Sequence, residues 1–382
     1  MKKFKWVILS KALVLLLVAI CLTACKSNLI EVAPVVLEKS PARGELRNFS
    51  MGFSAIPKNN SDQAYLRSYD FAANYGEALL IRSAPFWHEF LSENAPSAEY
   101  TERILAQKHA LKSRDLNLIY VLDVFDPLDR AVLFDMPSEH YGLPLTSKKI
   151  KEALTREVIF IINNLHPEIF VLGNEINMTF EQDADSYFQF VEVYKEIYDI
   201  IKGVSPHTKM ITSFQYEELL GNIPWRTGHV PRWELVDDFS GRNDLLGITT
   251  YPSFAIDFVR KLESDYYLQM REHSDLPIAF ISAAYSSGKS REGYNISTPI
   301  EQRRYLSKLL TDADVLNTKL IIWAIVEDGS LYNYPNSDLI RTMGLLDAQG
   351  IPKAAWSVWV EELARPKLNL MSGVDDVKRH PD

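Results

Sequence analysis

Residues 169–177 read Ile-Phe-Val-Leu-Gly-Asn-Glu-Ile-Asn, and this stretch decides how the rest of the chain is interpreted. Its first four residues form an apolar run, which is typical of a parallel strand covered by helices. Asn174 and Glu175 follow almost at once. A carboxylate after a buried strand is partly desolvated, which suits a general acid near neutral pH, and the amide suits a substrate hydroxyl. The alternative is a solvated loop carboxylate beside a capping asparagine.

Similar stretches recur along the chain and alternate with amphipathic segments. The strand-like stretches are residues 49–56, 78–83, 118–125, 210–216, 245–252, 277–285 and 320–327. The helix-like segments are residues 63–74, 99–112, 148–164, 184–202, 256–272 and 301–310, with a shorter one at 232–239. This alternation predicts an α/β fold, a single-domain (β/α)8 TIM barrel over residues 48–365. A doubly wound open sheet is the alternative, but no G-x-G-x-x-G follows a strand, so its dinucleotide-binding form has no support.

The composition indicates a globular chain and excludes several classes of function. Of 382 residues, 47% are hydrophobic, which is enough for a large core. The net charge of −9 argues against a nucleic-acid-binding protein, which needs a basic surface. The histidines are scattered, without an H-E-x-x-H motif, and there is no P-loop or G-x-S-x-G elbow. We therefore expect neither a metal nor an organic cofactor.

The N-terminus has the pattern of a secretory signal peptide. Residues 1–24 combine a basic start, an apolar run and small residues. The ending Leu-Thr-Ala-Cys resembles the lipobox of bacterial lipoproteins, which implies that Cys25 is lipidated and anchors the protein to a bilayer. Lys26 after the cysteine favours the outer membrane of a two-membrane cell envelope. An ordinary signal peptide with an incidental cysteine is the alternative. Residues 25–47 are interpreted as a tether, and residues 366–382 as a weakly ordered tail.

The ends of the predicted strands resemble those of glycoside hydrolase clan A, the retaining barrel glycosidases. Asn174-Glu175 ends the fourth strand, where the clan carries its acid/base glutamate. Arg82, Tyr251 and Trp323 match residues at the ends of the second, sixth and eighth strands. Within the clan, the chain looks nearest to the endo-β-1,4-galactanase-like branch. The residues that carry this narrower resemblance are Phe53 and Pro57 on the first strand and Pro85-Phe86-Trp87 after the second. The resemblance implies a β-linked poly- or oligosaccharide as partner, with Arg82, Trp87, Asn174, Tyr251 and Trp323 as binding residues.

The predicted seventh strand departs from the clan pattern. The clan has a nucleophilic glutamate at its end, whereas this chain has Ala283 at that position. A retaining mechanism needs two carboxyl groups about 5–5.5 Å apart, and a methyl group cannot replace one. Three interpretations stay open. Glu327, or else Asp123 or Asp126, substitutes for the missing carboxylate; the barrel binds a glycan without cleaving it; or the fold is a structural scaffold.

Overall fold

The structure is a computed structural model that describes residues 46–223, 226, 228–289, 296–329 and 340–368. The predicted signal peptide, the predicted lipidation site Cys25 and nearly all of the predicted tail lie outside these residues. Within them, no helix is long and apolar enough to cross a membrane. Arg47 and Lys367, which the sequence assigned to the tether and the tail, form a parallel bridge with each other beside the barrel.

The described strands form one parallel sheet that curves into a barrel. In chain order the strands are β1 (Ser50–Ser54), β2 (Ala78–Ser83), β3 (Asn117–Leu122), β4 (Ile169–Leu172), β5 (Lys209–Ile211), β6 (Ser213–Gln215), β7 (Leu246–Thr250), β8 (Ile278–Ala283) and β9 (Thr318–Trp323). β1 pairs with both β2 and β9. β5 pairs with β4, and β6 pairs with β7, with only Thr212 between them. β5 and β6 therefore correspond together to the fifth strand of an eight-stranded barrel. The predicted (β/α)8 barrel is confirmed.

Helices cover the outside of the barrel. In the described ranges they are α1 (Asp62–Tyr75), α2 (Trp87–Phe90), α3 (Ala98–Lys112), α4 (Lys148–Leu165), α5 (Ile176–Gln182), α6 (Ala184–Val204), α7 (Tyr216–Leu219), α8 (Glu234–Asp237), α9 (Pro299–Val315) and α10 (Ala354–Ala364). Serine, aspartate or threonine side chains accept backbone N–H bonds at the N-termini of α1, α3, α6 and α9. These caps satisfy amide groups that have no partner within the helix.

The predicted helix at residues 256–272 is wrong. The structure has short 3₁₀ turns there, Val259–Lys261 and Leu268–Glu272. Tyr266 and Tyr267 are buried, and their hydroxyls reach Glu217 and Tyr305. Thr250 links Glu217 to Tyr267, so both adjacent tyrosines belong to one buried network. This tertiary packing outweighs the helical periodicity of the segment.

The strands bury side chains on both faces, in two distinct layers. The inner layer is aliphatic and comprises Ala78, Leu80, Ile119, Val121, Ile169, Val171, Ile211, Leu245, Ala279, Ile281, Leu320 and Ile322. The alternate residues of the same strands belong to a larger cluster that includes the helices. This period of two follows from strand geometry and assigns each residue to the interior or to the helix layer.

Candidate functional site

A cavity of about 660 Å³ opens where the strands end. Its volume lies in the usual range for small-ligand sites, about 300–1,000 Å³. The polar part of its wall includes residues that end or follow β1, β2, β3, β4, β7 and β8, among them Ser54, Asn59, Asn60, Arg82, Ser83, Arg130, Asn174, Glu175, Tyr251 and Ser282. Tyr65, Phe134 and Phe254 add aromatic surface. The carboxyl end of a barrel is where such folds place their chemistry.

Glu175 reaches the cavity through a tight turn after β4. Gly173 has φ of 75°, and a Cβ there would lie 2.4 Å from the ring of Phe190, so only glycine fits. Glu175 itself has φ of 53°, in the left-handed region that non-glycine residues rarely adopt. Such strain persists where the surrounding structure enforces it, often at functional sites. The backbone N–H of Glu175 donates to Ser213 Oγ at 3.0 Å, which helps to hold the turn.

Both carboxylate oxygens of Glu175 accept hydrogen bonds from the protein. Thr249 Oγ1 donates to Oε1 at 2.8 Å, and Arg130 Nη2 donates to Oε2 at 2.9 Å. The side chain is 13% exposed, so these partners compete little with water. A general acid must present a proton to the leaving group from one of these oxygens. In the observed geometry each oxygen accepts one hydrogen bond from the protein, which leaves a second lone pair on each for a proton or a ligand group.

Arg130 and Arg82 share the fully buried carboxylate of Asp123. Asp123 Oδ2 accepts from Arg82 Nη2, and Oδ1 accepts from Arg130 Nη1 at 3.2 Å. Arg130 also donates to the backbone oxygen of Asn174 at 2.9 Å. A buried charge is tolerated when it is paired and hydrogen-bonded, and Asp123 has an arginine on each of its two oxygens. The resulting chain of charges, from Arg82 through Asp123 and Arg130 to Glu175, forms a rigid polar floor.

The same serine that bonds to Glu175 also orients the side chain of Asn174. Asn174 lines the cavity, and its Oδ1 accepts a hydrogen bond from Ser213 Oγ at 2.9 Å. Because Ser213 also bonds to the backbone of Glu175, one serine orients both residues of the Asn-Glu pair.

Tyr251 is positioned from behind by a buried carboxylate that sequence reasoning missed. Glu217 is 1% exposed and accepts hydrogen bonds from the backbone N–H of Tyr251 at 3.1 Å and from Thr250 Oγ1 at 2.7 Å. Burial raises the pKa of Glu217, although these hydrogen bonds oppose the effect. On the cavity side, the hydroxyl of Tyr251 donates to Ser282 Oγ at 2.7 Å.

Ser282, and not Ala283, lies on the cavity wall. Ala283 is fully buried in the helix-facing cluster. The reason is a bulge in the pairing of β7 with β8, in which Ile248 is opposite Phe280 but Thr249 is opposite Ser282. The extra residue, Ile281, interrupts the alternation, so Ile281 and Ser282 both line the cavity. Ala283, which the resemblance assigned to the vacant nucleophile position, therefore does not line the cavity, and Ser282 is the residue at this end of β8 that does.

The three carboxylates considered as substitutes do not line the cavity among the residues that the structure describes. Glu327 pairs with Lys58. Asp123 is fully buried between two arginines, and Asp126 Oδ1 accepts backbone N–H groups of Leu128 and Asp129 in its own loop. On the described wall, Glu175 is the one acidic side chain.

The two tryptophans predicted to contact sugar belong to the core, and that prediction is wrong. Trp323 is fully buried, and its indole N–H donates to Met343 O at 3.0 Å. It lies in the helix-facing layer of β9, because cavity-facing residues of that strand have the opposite parity. Trp87 is 1% exposed and donates to Phe134 O at 2.7 Å, so it supports an aromatic residue of the wall from beneath.

Sequence reasoning missed several residues of the wall. Tyr65 comes from α1, and Arg130 and Phe134 come from the long loop after β3. Nothing in their local sequence marks them, since a loop's course depends on the packing beneath it. Phe254 could have been found, because it follows Tyr251 in the short turn that ends the same strand.

The comparisons with known proteins support the fold. No known family profile matches the sequence, and no curated protein matches it. Among solved structures, an exo-β-1,4-mannosidase from Opitutaceae bacterium strain TAV5 is similar, with a TM-score of 0.62 and 17% identity over 85% of this chain. This chain spans 60% of that enzyme's length.

Two further solved structures extend the likeness. A GH5_18 protein from Streptomyces cattleya, in complex with Manβ1-4GlcNAc, has a TM-score of 0.62 at 12% identity, covering 83% of this chain and 80% of that one. Native xylanase 10B from Thermotoga maritima has a TM-score of 0.55 at 14% identity, covering 83% of this chain and 95% of that one. The barrel therefore shares its fold with these glycoside hydrolases, and identities this low show the fold alone.

Proposed function

We propose that this protein binds a β-linked oligosaccharide at the carboxyl end of the barrel and does not cleave it by a retaining mechanism. The wall combines aromatic faces, which stack on sugar C–H groups, with amide, hydroxyl and guanidinium groups suited to sugar hydroxyls. Two proteins of similar fold are associated with β-linked sugars. One is an exo-β-1,4-mannosidase, and the other is a GH5_18 protein solved in complex with Manβ1-4GlcNAc.

One observation carries the non-hydrolytic part of the proposal. A retaining mechanism needs two carboxyl groups, and on the described wall Glu175 is the one acidic side chain. On the end of β8, the wall presents Ser282, whose Oγ accepts a hydrogen bond from the Tyr251 hydroxyl. A serine hydroxyl is a weak nucleophile without an adjacent base. The hydrogen bond leaves Ser282 oriented for binding a sugar hydroxyl, and Glu175 serves as a fixed acceptor beside it.

The experiment is a binding measurement coupled to product analysis. Titration calorimetry with Manβ1-4GlcNAc and with β-1,4-linked manno-, xylo- and galacto-oligosaccharides measures affinity, and mass spectrometry of the same samples detects cleavage. We expect one of these series to bind with its chain length unchanged after prolonged incubation. The galacto-series tests the narrower resemblance to galactanases. Release of shorter sugars would overturn the non-hydrolytic proposal, and absence of binding across the panel would overturn the glycan proposal.

We also propose that the mature protein is anchored in the cell envelope, at the outer membrane, through lipid on Cys25. This proposal is supported by the Leu-Thr-Ala-Cys ending of the leader and by Lys26 after it. Metabolic labelling with an alkyne fatty acid in a bacterial host tests it. We expect the native protein to be labelled and Cys25→Ser to be unlabelled and soluble. Equal labelling of both would contradict the assignment.

A further inference from the structure

Outside the cavity, two carboxylates and an imidazole converge from three separate segments. Glu181 lies in α5, Glu218 lies in α7, and His229 lies in the loop before α8. One ligand atom from each lies within 4.8 Å of the others. None of the three residues lines the cavity described above.

The imidazole of His229 is buried, and its ring nitrogens have no hydrogen-bond partner among the described residues. Its side chain is 3% exposed. Its Nε2 lies 3.7 Å from Glu218 Oε1, which is too far for a hydrogen bond. Buried polar groups are normally satisfied, and an unsatisfied one in a native site calls for an explanation such as a bound ion.

Two arginines now neutralise the carboxylates. Arg226 Nη1 lies 2.5 Å from Glu218 Oε1 and 3.7 Å from Glu181 Oε2. Arg232 Nε lies 3.0 Å from Glu181 Oε1. The side chain of Arg226 is 30% exposed, so it can swing into solvent when another cation takes its place. Arg232 would remain bonded to Glu181 Oε1 and would limit the negative charge of the site.

We propose that Glu181, Glu218 and His229 bind one divalent transition-metal ion, with Zn²⁺ as the best match. Zn²⁺ prefers a nitrogen and oxygen donor set with bonds of about 2.0–2.2 Å in a tetrahedron, which separates neighbouring donor atoms by about 3.4 Å. The 3.7 Å between His229 and Glu218 already lies near this value. The three donor atoms lie within 4.8 Å of one another, so binding also requires side-chain rotation to bring them together. Imidazole disfavours Ca²⁺ and Mg²⁺, which select all-oxygen sites.

The ion has a structural consequence. It joins α5 to the loop that carries His229, and it replaces the Arg226 contact with a stronger link between those segments. Because it binds the folded chain, it raises the unfolding temperature in proportion to the logarithm of its free concentration. None of its ligands lines the cavity, so the site can be tested in the absence of any sugar.

Metal binding to the full-length protein, stripped with a chelator, tests the proposal. Calorimetry with ZnCl₂ and elemental analysis after dialysis give affinity and stoichiometry, and Co²⁺ absorption reports the ligand set. We expect one Zn²⁺ per chain and a rise in unfolding temperature, with no comparable binding of Ca²⁺. His229→Gln and Glu218→Gln are each expected to weaken Zn²⁺ binding at least tenfold, while His207→Gln, at an exposed histidine, leaves it unchanged.

Arg226→Gln separates a metal site from a purely structural salt-bridge cluster. If Arg226 competes with the ion, its removal tightens Zn²⁺ binding several-fold, whereas a cluster without a metal role only loses stability. Circular dichroism confirms folding of each variant. Absence of stoichiometric Zn²⁺ binding, or binding that is equal in the native protein and in His229→Gln, would overturn the proposal. Weaker binding by Arg226→Gln would contradict the competition.

Discussion

Nη2 of Arg130 lies 2.9 Å from Oε2 of Glu175, and this ion pair sets the site apart from a simple acid/base carboxylate. Arg130 also contacts Asp123, which in turn pairs with Arg82. The carboxylate is therefore part of a fixed network in which each charge has an opposite partner. Such a network holds a polar floor rigid for ligand binding.

Removing Arg130 is expected to destabilise the barrel strongly. In Arg130→Met, Asp123 loses one partner while fully buried, and Glu175 loses its ion pair. Asp123 keeps Arg82, but two carboxylates then share a single cation, and breaking a buried ion pair in this way costs about 3–5 kcal/mol. Urea unfolding measures the change. The matched control is Arg242→Met, which breaks an exposed pair with Asp199 and is expected to cost less than about 1 kcal/mol. Similar losses for both variants would contradict the network.

Introducing a carboxylate at residue 282 is expected to restore hydrolysis. In Ser282→Glu the new group lies on the cavity wall beside Tyr251, whereas in Ala283→Glu it enters the helix-facing core. We expect Ser282→Glu to cleave aryl β-glycosides slowly and to form a covalent adduct with a 2-fluoro glycoside, detected by mass spectrometry. We expect Ala283→Glu to be inactive and less stable. Activity in the second variant alone would contradict the orientation of residue 282 toward the cavity and residue 283 toward the helices.

Loss of the aromatic ring at residue 65 is expected to weaken glycan binding. Tyr65 is 44% exposed and lines the cavity, so its face is available to a sugar. Tyr65→Ala should raise the dissociation constant about five- to tenfold, since such a contact contributes roughly 1 kcal/mol. Tyr141→Ala removes an exposed ring that does not line the cavity, and it should bind as the native protein does. Equal affinities for the native protein and Tyr65→Ala would exclude stacking there.

The buried carboxyl of Glu157 is expected to make stability depend on pH. Burial raises its pKa from 4.5 to about 8, although the backbone N–H of Phe86 opposes this by donating to both oxygens. Between these values the folded state holds a proton that the unfolded chain has lost, so the free energy of unfolding falls as pH rises from 4.5 to about 8.

Glu157→Gln removes that contribution while keeping an oxygen acceptor for Phe86. Relative to the native protein, the variant should gain a few kcal/mol between pH 5 and pH 8.5, on the order of 1.4 kcal/mol per unit of pKa shift. Denaturant unfolding at both pH values measures the difference. Comparing the two proteins at each pH cancels the contributions of the other buried carboxyls. A difference that is constant with pH would refute the raised pKa.

The barrel and its acidic strand end were predictable because they depend on local pattern. A run such as residues 169–172 must be buried on both faces, and a parallel strand needs a crossover helix before the next strand. These constraints act within a few residues and leave few alternatives. The placement of Asn174 and Glu175 at the cavity followed directly, because all parallel strands of a barrel end at the same face.

Only the tertiary structure decided which way the strand side chains point and which side chains distant in sequence contact each other. A single extra residue in β8 turned Ser282 toward the cavity and Ala283 toward the helices, and strand parity sent Trp323 into the core. Arg130 on Glu175 and His229 beside Glu218 come from loops whose neighbours in space are distant in sequence. Hydrophobic periodicity indicates which residues are buried. It does not indicate which distant side chains contact each other, because those contacts depend on strand register, bulges and the course of loops over the folded barrel.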